Sequence, residues 1–388
     1  MPAQPRPSGR RRRWIRIAAS CLAFAVLAGA GGAWYLYRHL DGNIHTDTAT
    51  TRELNRVQSQ RPAPATASAP GSGTAENVLL IGTDNRGDGN GKYGQDTGTQ
   101  RSDTTILLHL SADRSSATAV SIPRDLMVDI PACHRAGGGT SRAQFAQFNW
   151  AFEFGGAACT IRTVEDLTGI RVDHHLIVDF TGFKQMVDAV DGVEVCVPHS
   201  VHDQEAHLDL PAGRQLLHGE QALGYVRARH GIGDGSDTQR MGRQQEFLAS
   251  LVRKVTSSGV LLNPVKLYPL LDAATSSLTA DPGLDSLGEL YDFARSLQRT
   301  PADQVRFLTV PREPYVHDHN RDELTQPEAD ELFTTLRQDG NVAITTKSAE
   351  SGKGGANEKS GTPSTASASP LATYPGTTAD QDSLSRCG

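Results

Sequence analysis

Between Glu76 and Leu336, short apolar runs alternate with stretches of helical periodicity, and that alternation leaves few architectures open. Val78 to Ile81, Thr104 to Leu110 and Ala117 to Ile122 are bounded by Gly, Asp or Pro, which predicts strands. Gln144 to Phe154 and Thr160 to Thr168 read as helices, Leu176 to Asp179 as a strand, Phe183 to Val190 as a helix and Val193 to Val197 as a strand. Gly219 to Tyr225 and Thr238 to Thr256 read as helices, the second with Phe247, Leu248, Leu251, Val252 and Val255 at the spacing of a buried stripe. Helices at Pro264 to Thr275 and Leu284 to Leu297, a strand at Val305 to Val310 and a helix at Gln326 to Leu336 complete the series. Strands and helices in alternation imply an α/β domain, a central sheet covered by helices on both faces.

The N-terminus adds a membrane element. Trp14 to Tyr37 carries no charge except Arg16, and about 24 apolar residues cross a hydrocarbon core of ~30 Å as a helix. The arginines before it predict a cytoplasmic N-terminus for a retained transmembrane anchor. A cleavable signal is the competing reading, with Ala28-Gly29-Ala30 as a site and Arg12-Arg13 like a twin-arginine start. Trp34, Tyr35 and Tyr37 at the far end favour the anchor. The expected organisation is a basic tail (1–13), the anchor (14–37), a Pro-, Ala- and Ser-rich stalk (38–75), one domain (76–342) and a disordered tail (343–388).

Charge narrows the partners. Six arginines precede Ala18, so taking them from a net charge of −6 leaves about −12 on the remainder. A body that acidic is a poor match for DNA or RNA. Of the five cysteines, Cys21 lies in the span, Cys387 in the tail and Cys196 within Val193 to Val197, where it reads as a small buried hydrophobe. Cys133, in a Gly-rich loop, and Cys159 are a plausible disulfide in an oxidising exterior.

The chemistry concentrates between Gly224 and Gln245, where Arg227, Arg229, Arg240 and Arg243 surround Asp237 and a Gly-rich turn. Planar guanidinium forks suit phosphate oxygens. Asp84-Asn85-Arg86 ends the first strand, Arg101-Ser102-Asp103 opens the second, and Ser121-Ile122-Pro123-Arg124-Asp125 follows the third. Consecutive strands can bring Asp84 and Asp103 together as hard oxygen ligands for Mg²⁺ (or Mn²⁺). Blander readings stand beside these: the two aspartates as turn caps, Arg240 and Arg243 as a solvated helix face, and Arg124 as a structural ion pair with Asp125 or another acid.

Those motifs, with Tyr225-Val226-Arg227-Ala228-Arg229 and Asp237 through Arg240 to Arg243-Gln244, resemble in their order the LytR-CpsA-Psr family over about Glu76 to Gly340. High use of Ala, Gly and Arg points to its actinobacterial type. The resemblance implies a mixed sheet between helices with a deep apolar lipid pocket, and a ligase that moves a glycopolymer from a polyprenyl-pyrophosphate carrier onto peptidoglycan. It assigns Asp84 and Asp103 to the metal, Arg86, Arg101, Arg124, Arg227, Arg229 and Arg240 to the pyrophosphate, and Arg243 with Gln244 to their support. Arg101, Arg124, Arg227, Arg229 and Asp237 are then the catalytic candidates, with Asp237 or Asp103 placed to accept the hydroxyl proton. Two other readings remain: a lipid-pyrophosphate hydrolase using the same clamp, and a regulatory, transcription-attenuating envelope protein.

Other motifs carry less. Gly89 to Gly94 matches a dinucleotide glycine pattern but precedes a polar loop and a strand rather than a helix. There is no Gly-x-Ser-x-Gly elbow. His174-His175 and His317-x-His319 lack a third metal partner in sequence and read as satisfied or solvated histidines.

Overall fold

The structure is a computed structural model that describes residues 9–65, 73–83, 102–135, 138–229, 237–257, 264–346, 372–380 and 387. In chain order these form α1 (Gly9–Asn43), β1 (His45–Thr46), α2 (Thr48–Arg56), β2 (Glu76–Thr83), β3 (Ser102–Leu110), β4 (Ala117–Ile122), β5 (Met127–Ile130), β6 (Gln144–Gln147), α3 (Trp150–Thr168), β7 (His174–Val178), α4 (Phe180–Ala189) and β8 (Val193–Val197). Then come β9 (Val201–Asp203), β10 (Leu208–Leu210), β11 (Gly213–Leu217), α5 (Gly219–Arg227), α6 (Asp237–Ser257), α7 (Pro264–Ser277), β12 (Leu278–Ala280), α8 (Leu287–Gln298), β13 (Val305–Thr309), β14 (Arg312–Pro314), β15 (Asp322–Leu324), α9 (Glu328–Arg337), β16 (Ala343–Thr346) and β17 (Thr373–Thr378).

Nine strands form one mixed sheet in the order β1-β12-β7-β2-β3-β4-β13-β17-β16. Strands β2, β3 and β4 pair antiparallel, while β7 runs parallel to β2 and β13 parallel to β4. The apolar runs at their centres, such as Val78–Ile81 and Ile106–Leu108, follow from cover on both faces. Leu79, Ile81, Leu107, Val120 and Ile122 pack on one side with residues of α2, α3 and α9. Val78, Ile106, Leu108 and Ala119 alternate with them and pack on the other side with residues of α6 and α8. A third cluster joins α4, α5 and α6 to the strands β8 to β11.

Gln144 to Phe154 is not one helix: Gln144–Gln147 pairs with β5, and α3 starts at Trp150. α3 kinks at Gly155 and Gly156. A Cβ on Gly155 would sit 2.9 Å from the Cβ atoms of both Cys133 and Cys159, which are joined by a disulfide.

The first part of the stalk expected over 38–75, through Arg61, is docked instead. α1, whose segment Arg16–Asn43 is long and apolar enough to cross a membrane, runs to Asn43, and after one residue β1 pairs with β12. Leu40, Ile44 and Leu54 are buried, and Arg61 forms an ion pair with Glu165. Polar, Pro-rich composition hides this because a handful of anchors suffices to hold a strap against a large surface. The tail expected to be disordered from 343 also supplies β16 and β17 to the sheet. Cys196 is not a free hydrophobe; it is disulfide-bonded to Cys387.

His175 helps to hold the strap, and His174 beside it pairs with Asp281, which follows β12. His175 lies 3.3 Å from Asp47, just before α2, and His174 Nδ1 lies 3.0 Å from Asp281. Burial would raise the Asp47 carboxyl, but hydrogen bonds from His175 and Thr50 hold it down at about 2. Hydrogen bonding to Asp281 raises His174 above 6.5 against the opposing effect of burial, with Glu76 and Asp173 adding to the rise. A raised histidine stabilises the fold fully below its unfolded value and ceases to as pH climbs through the folded one. The stability difference between the chain and His174→Gln should therefore be largest below pH 6.5 and shrink above it, as read by thermal unfolding across pH.

Candidate active site

The strand ends Gly82 and Thr83 of β2, Arg124 beyond β4, Val178 of β7 and the start of β3 at Asp103 meet at one end of the sheet. They open a cleft of about 700 Å³. The register between β2 and β3 slips between Gly82 and Thr83, a bulge at the cleft rim of the kind found beside functional sites. The cleft has two chemical ends. Asp103 and Arg124 at the strand ends, Arg227 and Arg229 after α5, and Arg240 and Gln244 in the first turns of α6 make one, while Leu80 and Ile106 further into the strands and Leu248 and Leu251 further along α6 make the other, with Phe180 beside Arg227 between them.

The arginines are placed by an interlocked turn. α5 ends at Arg227, whose guanidinium lies 4.6 Å from the ring centroid of Phe180 at the start of α4. This cation–π contact holds the charge at the boundary between the two ends. Asp203, 1% exposed, accepts from the backbone N–H of Arg229 at 2.8 Å through Oδ2 and from Glu205 and Ala206 through Oδ1. From α6, Arg243 Nη2 donates to the Ala228 carbonyl, and Gln244 Nε2 donates to the Val226 carbonyl at 3.1 Å. Gln245 ties α6 to the sheet through Ser121 and Thr309.

Arg240 is 5% exposed and Arg243 8%, which removes the solvated-face reading. Arg240 lines the cleft, and Arg243, through its bond to the Ala228 carbonyl, supports the Arg227–Arg229 segment. Arg124 Nη1 donates to Asp103 at 2.9 Å and Nε to Asp125 at 3.3 Å, so it both lines the cleft and bridges two carboxylates. Gln147 donates to Asp125 at 2.6 Å.

Asp84, Arg86 and Arg101 lie outside the described residues, as does the side chain of Asp237, whose backbone opens α6. The sequence reading named Asp125 as an ion-pair partner of Arg124, and the two do pair, but it passed over Asp203, Gln147 and Phe180, which carry no motif and which only the fold brings to the arginines.

The Mg²⁺ assignment meets a partial fit. Among the described residues no group of three or more metal-ligating side chains gathers. Mg²⁺ commonly takes one or two carboxylates and completes its shell with water and phosphate. Asp103, whose side chain is 29% exposed at the cleft, suits that role as one carboxylate.

This chain is 38% identical over 263 residues to the cell wall biosynthesis protein LcpA of Corynebacterium glutamicum, covering 61% of this chain and 50% of that protein. It spans about half the length of the Corynebacterium glutamicum relatives LcpA and LcpB. It is 29% identical over 305 residues to the polyisoprenyl-teichoic acid–peptidoglycan teichoic acid transferase TagT of Bacillus subtilis, covering 76% and 85% of the two chains. The solved LytR-Csp2A-Psr enzyme from Actinomyces oris superposes with a TM-score of 0.53 at 26% identity, over 71% of this chain and 96% of that one. The LytR_cpsA_psr family model matches residues 41–338, a span that takes in the docked strap and both ends of the cleft, and the chain belongs to that family.

Proposed function

We propose that this protein is a phosphotransferase that moves a glycopolymer from a polyprenyl-pyrophosphate carrier onto a peptidoglycan sugar hydroxyl and releases polyprenyl phosphate. One observation carries the reading: a single cleft joins an arginine-lined end to an apolar end, as an amphiphile with a diphosphate head requires. Relatives named as a cell wall biosynthesis protein and as a teichoic acid transferase support it. The proposed setting is a cell membrane, with α1 as a single-pass anchor, its N-terminus cytoplasmic and the domain outside.

Arg124, Arg227, Arg229 and Arg240, with Arg86 and Arg101, bind the diphosphate oxygens, and Leu80, Ile106, Phe183 and Leu251 receive the first part of the lipid chain. Mg²⁺ (or Mn²⁺) held by Asp84 and Asp103 would supply further charge neutralisation. The sugar oxygen forms a bond to the glycan-proximal phosphorus as the bond to the polyprenyl phosphate oxygen breaks. The hydroxyl proton passes to a carboxylate, Asp237 or Asp103. Phosphoryl transfer asks little of the protein beyond positioning and charge stabilisation, which is what this arginine turn provides.

Purified chain supplied with Mg²⁺, a lipid-linked glycan and peptidoglycan should join glycan to peptidoglycan. Release of glycan phosphate alone would show a hydrolase instead. The apolar end makes its own prediction. Leu248→Trp should exclude about two methylenes of the carrier, at ~0.8 kcal/mol each, and raise KM for long-chain donors roughly tenfold. A donor shortened enough to stop before Leu248 should be unaffected.

A further inference from the structure

Outside the cleft, three aromatic rings stand together at the surface, Phe145 and His317 exposed and Tyr315 half-buried. Phe145, on β6, is 51% exposed and lies 6.0 Å between centroids from Tyr315, which lies 5.2 Å edge-on from the exposed His317. Tyr315 to Arg321 form the turn between β14 and β15, and that turn is ordered. The Tyr315 N–H donates to the Arg321 carbonyl at 2.9 Å, Arg321 N–H to Asp318 at 2.8 Å, and Val316 N–H to Glu323 at 3.1 Å.

The cluster is continuous with the cleft by two routes. Arg321, the cross-turn partner of Tyr315, lines the cleft and approaches Asp125 to 3.9 Å. Gln147, two residues beyond Phe145 on the same face of β6, also lines it, about 7 Å along the strand. Rings that close to a reaction mouth are placed to guide something into it.

Charge selects the occupant. The hairpin carries Glu313, Asp318 and Glu323, while Arg312 is engaged by Asp322 and Arg321 by Asp125 and Asp318. A phosphate-rich donor polymer or an anionic bilayer would be repelled there. A pyranose is matched: its C–H face stacks on the negative face of an aromatic ring, and its rim hydroxyls donate to carboxylates.

We infer that Phe145, Tyr315 and His317 form a saccharide-binding ledge that takes pyranose units of the acceptor glycan strand and delivers a hydroxyl to the arginine-lined mouth. The identity of the sugar as acceptor rests on the proposed transfer; the ledge itself rests on its geometry. The test uses the full chain in detergent and muramidase-solubilised peptidoglycan strands without donor. Tyr315→Ala and Phe145→Ala should each weaken strand binding roughly fivefold, while Tyr315→Phe keeps it within about twofold. Binding of the lipid-linked donor, measured separately, should stay unchanged, and thermal unfolding of the exposed-site variant Phe145→Ala should match that of the unmodified chain. Undiminished strand binding in both alanine variants overturns the ledge, as does an equal loss of donor binding. Because strand binding is read without donor, weakened binding supports the ledge even where the unmodified chain consumes no donor, a result that would count against the transfer alone.

Discussion

Arg227→Ala should lower polymer attachment to peptidoglycan by about 10²- to 10³-fold, the loss typical of removing one preorganised charge-stabilising donor. Arg227 is only half-buried and ends α5, so its removal should leave the melting temperature close to that of the unmodified chain. Arg227→Lys should recover a small part of the activity, because an ammonium neither forks across two phosphate oxygens nor stacks as a plane on Phe180. Attachment by the alanine variant at the unmodified rate would sink the assignment of the arginine turn.

Arg61→Ala should destabilise the fold by about 3–5 kcal/mol. The Arg61 side chain is 7% exposed and that of Glu165 1%, with Nε and Nη2 of the guanidinium both on the carboxylate and Nη2 also on the Val172 carbonyl. Removing the cation leaves a buried carboxylate that keeps the Val172 N–H bond and the more distant charge of Arg171 but loses its paired guanidinium. At roughly 2–4 °C per kcal/mol, the melting temperature should fall by about 10 °C. Arg61→Met combined with Glu165→Leu should restore most of the loss, since a matched apolar pair carries no uncompensated charge. Identical melting of Arg61→Ala and the unmodified chain would mean that the segment after α1 does not bear on the fold.

What could be read without coordinates follows the range of the interactions involved. β2, β3 and β4 announce themselves because burial on both faces leaves them apolar at their centres, and α6 because its stripe repeats within one helix. β1 and β12 are two and three residues long and exist only as partners of each other and of β7, so nothing local marks them. Arg61 and Glu165 stand 104 positions apart, and Cys196 and Cys387 stand 191 apart, beyond any compositional window. Within the site, the arginines and Asp103 were legible as motifs. Leu80 and Ile106 were not, because a cleft-lining leucine differs from its core neighbour Leu79 or Leu107 only by one step of the strand.

The single residue between α1 and β1 sets how far this domain can reach from its N-terminal helix. A flexible spacer of the length first expected, about 35 residues, would let the domain roam some 30 Å from its anchor point. Here Asn43 bonds to Asp272, Asp41 caps Leu287 and Thr46 bonds to Asp285, so the helix and the body move as one piece. With α1 in a bilayer, the cleft keeps a constant height and tilt above the lipid. On the proposed function, a carrier arriving laterally in the same leaflet would then meet the opening in one orientation, and only wall strands lying at that level would be decorated.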